Sequence, residues 1–317
     1  MSENTSQKAL RKMATATCMV ALLPIGLGAL VTTLKAGMAF ADWPSSDGQN
    51  MLLYPWLSDF RTHPDKFVEH GHRLAGVVIG LTAIALAISS WGYRGWVRRY
   101  GLFLLLAVIL QGLLGGARVL LDAGTLAMTH SLTGALFFSA CVVYRTLLSP
   151  QAAVWKQVTE DRLSITSVAI SAILPVVVLA QYFLGGMLRH LHLLRNEHII
   201  GAIITLICCV WVGVSLVRAA NPVLCRCGVA VVSTVAMQFA LGLGALTTRF
   251  GFQKLGYVSV FGSLEQAIFC SLHTVVGILL VAAAFSTSVW TILLLREGRF
   301  TAAAFSPTAS SVQGGVA

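Results

Sequence analysis

Eight apolar runs dominate this chain, at 13–36, 67–90, 99–121, 125–147, 163–188, 197–218, 223–247 and 265–295. A helix needs about 20 residues of this kind to cross the hydrocarbon core of a bilayer. Of the 317 residues, 56% are hydrophobic and only 11% are charged, against about 25% charged in a soluble domain. The predicted fold class is an all-α membrane protein of eight transmembrane helices, arranged as two pseudo-symmetric four-helix bundles. A net charge of +10 would suit nucleic acid, but charges this sparse between apolar runs form no binding face. The expected surroundings are the lipid bilayer, with no nucleic-acid partner.

Lysine and arginine set the expected orientation. With both termini inside, 13 of them fall on the inner side and 9 on the outer. Trp91, Tyr93, Trp96 and Tyr100 interleave with Arg94, Arg98 and Arg99 in one short loop, as an inner interfacial belt would. The run from Met13 is too long for a signal peptide and has no clean cleavage site, so a retained first span is expected. The predicted organisation is a cytoplasmic segment 1–12, a first bundle 13–147, an inner linker 148–162, a second bundle 163–295 and a cytoplasmic tail 296–317. The seven cysteines show no C-x-x-C spacing and read as small hydrophobic residues.

Three odd-numbered spans carry one pattern. Gln111-Gly112 is followed by Gly115-Gly116 and Arg118. Gln181 is followed by Gly185-Gly186 and Arg189. Gln238 is followed by Gly242, Gly244 and Arg249. Such glycines permit close helix packing, and they also let a flat cofactor approach the backbone. The arginines at the span ends sit where carboxylates of a ligand could be clamped.

The even-numbered spans carry histidine. His72, His130, His198 and His273 each lie near a span start. Each is followed on its own face by a glycine: Gly76, Gly134, Gly201 and Gly277. Imidazole is a ligand for haem iron, and a bis-histidine site takes one residue from each of two facing helices. The repeat pairs His72 with His130 and His198 with His273, giving two haem-sized sites in which the following glycine leaves room for the porphyrin. Zinc fits less well, because no His or carboxylate stands at i+4 from these histidines and no Cys is taken as their partner. Glu69 precedes His72 by three residues and Arg73 by four, so it shares their face. It is read as a catalytic carboxylate, with an ion pair to Arg73 or a helix cap as the plainer reading. His70 points about 200° from His72. His63, His190 and His192 fall in outer loops, His190 at the mouth of the second bundle.

Together these motifs resemble the haem A synthase family. The carrying residues are Glu69-x-x-His72-Arg73, Gln111-Gly112-Leu113-Leu114-Gly115-Gly116 with Arg118, Thr129-His130, Gly185-Gly186-Met187-Leu188-Arg189-His190, Glu197-His198 and Leu272-His273. The resemblance implies a substrate, haem O, held between His72 and His130. It implies a haem b (iron) cofactor between His198 and His273. The implied reaction oxidises the C8 methyl of haem O to a formyl group by successive hydroxylations, for haem-copper oxidase biogenesis. Glu69 matches the family's important carboxylate, and Arg73, Arg118, Arg189 and Arg249 are candidate propionate contacts. Implied partners are haem O synthase, terminal oxidase assembly factors and an electron donor such as quinol. A homo-oligomer is compatible with it, and so is a bacterial cytoplasmic membrane with both termini inside. Paired outer-loop cysteines of some bacterial members have no counterpart in 37–66 or 189–196, and Cys225-Arg226-Cys227 matches no part of the pattern. The alternative is a di-haem b-type cytochrome carrying electrons from quinol. A midplane transporter is disfavoured, because the ionisable residues cluster toward the outer ends.

Overall fold

The computed structural model describes residues 5–150, 165–219, 221–252, 254 and 256–295. Most of the expected linker, 151–162, and the whole tail, 296–317, lie outside the described residues. The described chain is almost entirely helical: α1 Thr5–Thr33, a short α2 Asp59–Thr62, α3 Pro64–Trp91, α4 Trp96–Leu121, α5 Gly124–Leu147, α6 Ile165–Leu191, α7 Arg195–Val217, α8 Pro222–Phe250 and α9 Leu264–Leu295. All but α2 are long and apolar enough to cross a membrane, and the chain is a multi-pass membrane protein.

Helix ends follow local chemistry. At α8, Pro222 takes the first helical position and the Asn221 side chain accepts from the Val223 and Leu224 N–H groups at 2.8 and 3.3 Å. Those donors have no partner inside the helix, which is what an N-cap supplies. Gly95, at φ 70°, starts α4, and Gly251, at φ 76°, ends α8; glycine enters that region without a Cβ clash. The first helix departs from expectation. It begins at Thr5 and includes Lys8, Arg11 and Lys12. Hydropathy marks where lipid begins, and nothing in 5–12 breaks a helix, so the helix runs on past the apolar run.

α1, α3, α4 and α5 close a ring of neighbours, and α6, α7, α8 and α9 close another; α5 and α1 meet α9, and α5 meets α6, along the seam. Two apolar cores form. The first gathers Leu10, Ala83, Leu86, Val97, Leu104 and Tyr144 and also takes in Ile278 and Ala282 of α9; the second gathers Leu174, Val212, Leu216, Leu224, Val231 and Val281. Outward faces are also apolar, with Leu81, Ile88, Leu106, Ile200 and Ile207 exposed. Lipid tails solvate such a surface, so packing and small residues, not water exclusion, hold the helices together. The closest approach between α7 and α8 shows this. A methyl group at Gly228 would lie 2.5 Å from the Gly213 carbonyl oxygen and 2.7 Å from the Val217 nitrogen. Those are backbone atoms and cannot swing aside. Gly228→Leu is expected to lower the melting temperature in detergent by several degrees, a cost of about 1–3 kcal/mol for overpacking, whereas Gly80→Leu, which meets nothing within 4 Å, should leave it near wild type.

Candidate functional site

The four histidines lie toward one end of the molecule, the end that carries loops 34–63 and 251–263. They form two pairs. The His72 and His130 rings are 6.2 Å apart between centroids with planes at 84°; His198 and His273 are 6.3 Å apart, also at 84°. Each imidazole rests on a glycine of the helix before its own. A methyl group would come within 2.9 Å of His72 at Gly28, 3.1 Å of His130 at Gly115, 3.0 Å of His198 at Gly185 and 3.0 Å of His273 at Gly242. The odd-span glycines thus seat the four imidazoles.

Four residues before each of these glycines stands Pro24, Gln111, Gln181 or Gln238, and each reaches the same histidine. The Gln111 and Gln181 amides donate to the carbonyls of His130 and His198 at 2.7 and 2.8 Å. His72 Nδ1 lies 3.0 Å from the Pro24 carbonyl, and His273 Nδ1 lies 3.2 Å from the Gln238 carbonyl. A carbonyl only accepts, so Nδ1 carries the proton in both rings and Nε2 keeps its lone pair for a metal. The glutamines also fill the space over the following glycines. Gln111 covers Gly134, Gln181 covers Gly201 and Gln238 covers Gly277, while Gly76 faces nothing within 4 Å. Room beside the histidine therefore exists at Gly76 alone among the four glycines expected to provide it.

The residues fit a bis-imidazole iron group. A metal–imidazole bond of about 2 Å, with the nitrogen roughly 1.1 Å from its ring centre, sets two trans rings about 6 to 6.5 Å apart. Both pairs have that separation. Buried polar atoms also lack protein partners here: His130 Nδ1, Gln181 Oε1 and Gln238 Oε1 have none among the described residues. No cluster of three or more His, Cys, Asp or Glu ligands occurs among the described residues.

Glu69 is the most deeply buried acid among the described residues. It is 2% exposed. Its Oε1 accepts from Arg73 Nη2 at 2.8 Å, and its Oε2 accepts from the Ala39 and Phe40 N–H groups at 2.8 and 3.3 Å. It pins the loop after α1 onto α3. Arg73 Nη1 adds bonds to the Asp42 and Ser45 carbonyls at 2.9 and 2.7 Å. Within that loop Asp42 accepts from the Asp47 and Gly48 N–H groups. Partial burial would raise its pKa, but hydrogen bonds from Ser45 and from these amides outweigh it and hold the carboxyl below its usual range. Trp43 packs on Gly116, so the loop also closes over α4. His70 sits apart from the pair, 3.2 Å from Ser46 Oγ among Phe40, Tyr54 and Trp56.

The four arginines have different surroundings. Arg118 lies against Gly37 and within electrostatic reach of Glu69, His72 and His130; it makes no hydrogen bond or ion pair among the described residues. Arg73 is committed to Glu69 and the loop. Arg189 joins the two rings, donating to Cys270 O, Thr274 Oγ1, Ala29 O and Thr33 Oγ1. Arg249 meets His192 Nδ1 at 3.2 Å. His190 lies within electrostatic reach of Arg118 on one side and of Arg249 and His192 on the other. Its carbonyl lies against Gly124 at the start of α5, and its side chain is within electrostatic reach of His130, because α6 ends beside α5 across the seam. Pro24 and Gly28 escaped the sequence pattern, since the first span replaces glutamine with proline; the Pro-x-x-x-Gly spacing was the signal.

The seats themselves are testable. Gly185→Val is expected to displace His198 and lower haem content by about half, because small-to-large changes in a packed site cost about 1–3 kcal/mol. Gly112→Val, in open space, should leave the content unchanged.

Residues 57–196 match the family model COX15-CtaA, cytochrome oxidase assembly protein. The heme A synthase of Geobacillus kaustophilus is 30% identical over 146 residues, covering 45% of this chain and 44% of the relative. That of Shouchella clausii is 30% identical over 145 residues, covering 44% and 46%, and that of Brucella ovis 28% over 137 residues, covering 41% and 38%. The chain thus matches less than half the length of these relatives. The stretch matched by the family model contains Glu69, the His72–His130 pair and the Gln111 and Gln181 registers, and over that stretch the chain is similar to the COX15-CtaA cytochrome oxidase assembly proteins and to heme A synthases.

Proposed function

We propose that this protein is a haem A synthase, an oxidoreductase that converts the C8 methyl of haem O to a formyl group by successive hydroxylations and loss of water. The observation that carries the reading is the pair of equally spaced imidazole couples, only one of which has a buried carboxylate on its own helix face. In this reading His72 and His130 hold the substrate haem, and His198 and His273 hold a haem b. Bound haem iron supplies the redox chemistry that a methyl C–H bond demands.

The chain's own groups do the rest. Gly28 and Gly115 fix the two substrate-side imidazoles, and the Pro24 carbonyl fixes the tautomer of His72. Glu69, held in place by Arg73 and two backbone amides, presents a fixed negative charge where positive charge develops in the oxidation. The loop 34–58, pinned by the same carboxylate, keeps water from the site. Arg118 has its N–H groups uncommitted and is the foremost propionate contact; Arg249 serves the second site, with Arg73 and Arg189 contributing through the N–H groups left over from their protein partners.

The proposed setting is a bacterial cytoplasmic membrane, with both termini inside and each ring acting as one four-helix domain. Haem O arrives from a haem O synthase, electrons come from a donor such as quinol, and the product passes to terminal oxidase assembly factors. A homo-oligomer is compatible with this arrangement. The test is expression in cells that make haem O and no haem A. The expected result is haem A, or its hydroxymethyl precursor, in the extracted pigments. Membranes containing haem-loaded protein and unchanged haem O would support the electron-carrier alternative.

A further inference from the structure

A second cavity lies at the opposite end of the molecule from the histidines, where α5, α8 and α9 meet. It encloses about 520 Å³. Its mouth is polar and basic. Arg145, in the last turn of α5, and Arg226, in the first turns of α8, both line it, together with Ser286 and Thr287 of α9. No acid lines it, and neither arginine makes an ion pair or hydrogen bond among the described residues. Deeper in, the walls are apolar. Phe138 lies seven residues along α5 from Arg145, and Leu279 lies eleven along α9 from Trp290, roughly 10 and 16 Å at about 1.5 Å per residue.

We infer that this cavity binds an anionic glycerophospholipid, its phosphate between Arg145 and Arg226 and an acyl chain along Phe138, Ala283 and Leu279. The two arginines have no counter-ion among the described residues, and basic pockets between membrane helices take acidic headgroups. The apolar depth requires a tail on that anion. A neutral quinone would leave both charges unmatched. The site also gives the Cys225-Arg226-Cys227 segment a role, with Arg226 as a ligand and Cys227 in the wall. The cavity joins α5 of one ring to α8 and α9 of the other, so a bound lipid would brace the seam.

The experiment is native mass spectrometry of the purified protein, delipidated and then titrated with phosphatidylglycerol or phosphatidylcholine. Wild type should retain phosphatidylglycerol roughly tenfold better than phosphatidylcholine. Arg145→Gln with Arg226→Gln should erase that preference, at about a factor of five or more per charge near the membrane surface. Haem content and helical dichroism should stay unchanged. If the double variant fails to fold, the exposed Arg226→Gln alone should still halve the preference or better. Ala283→Leu should weaken lipid retention by filling the apolar wall. Equal retention of the two lipids, or a preference untouched by either arginine, would overturn the inference. So would displacement of the lipid by excess inorganic phosphate, which would make this a site for the free anion.

Discussion

On the proposed assignment of the four histidines, His198→Ala is expected to remove one of two bis-imidazole haems and leave the other in place. The absorption of the purified variant should fall to about half, with the remaining low-spin signature belonging to His72 and His130. The expectation follows from separation. The two pairs lie in different helix rings, each histidine on its own glycine seat, so losing one ligand leaves the seats of the other pair in place. An alanine leaves His273 facing a gap where a second ligand stood, and a single imidazole neither saturates the iron nor fixes the plane of the macrocycle. Added imidazole should partly restore the lost signal, because the cavity created has the shape of the missing ring. Full retention of two low-spin haems would remove His198 from the ligand set.

Glu69 carries the second large effect. Glu69→Gln is expected to keep both haems and lower product formation by about 100-fold or more, the usual scale for a positioned acid–base or charge-stabilising group. Glutamine is the informative substitution. Its one carbonyl oxygen can still accept from the Ala39 and Phe40 amides, which keeps that anchor of the loop, while the charge and the ion pair to Arg73 are gone. Glu69→Ala would lose both functions, and it would strand Arg73 in a buried place at a cost of about 3–5 kcal/mol. The two variants therefore separate chemistry from architecture. If Glu69→Gln makes product at the wild-type rate and Glu69→Ala merely melts earlier, the residue is a latch for the loop and nothing more.

Much of this arrangement was legible in the residues. Eight apolar runs gave eight helices, since length and hydropathy decide what can cross a bilayer. Helical spacing alone placed Glu69 against Arg73 and turned His70 away from His72, and both relations appear in the structure. Contacts between helices were harder to read. The role of Gly115, Gly185 and Gly242 depends on which neighbour faces them, and periodicity along one helix does not encode a neighbour. The glycine after each histidine looked like space for a porphyrin, yet glutamines from adjacent helices occupy three of the four places. The loop on Glu69 was equally hidden, because its anchors are main-chain N–H groups about 30 residues away in sequence. Arg189 looked like a ligand clamp from its position at a span end; tertiary packing commits its N–H groups to four oxygens, two on α9 of its own ring and two on α1 across the seam.

The most direct test of the central claim is extraction of pigment from the purified wild-type protein, with mass analysis of each haem and its amount per chain. Two sites with different occupants predict haem b together with haem O, its hydroxymethyl form or haem A. Haem b alone at both sites would contradict the synthase reading, and colourless protein from haem-replete cells would contradict haem binding altogether.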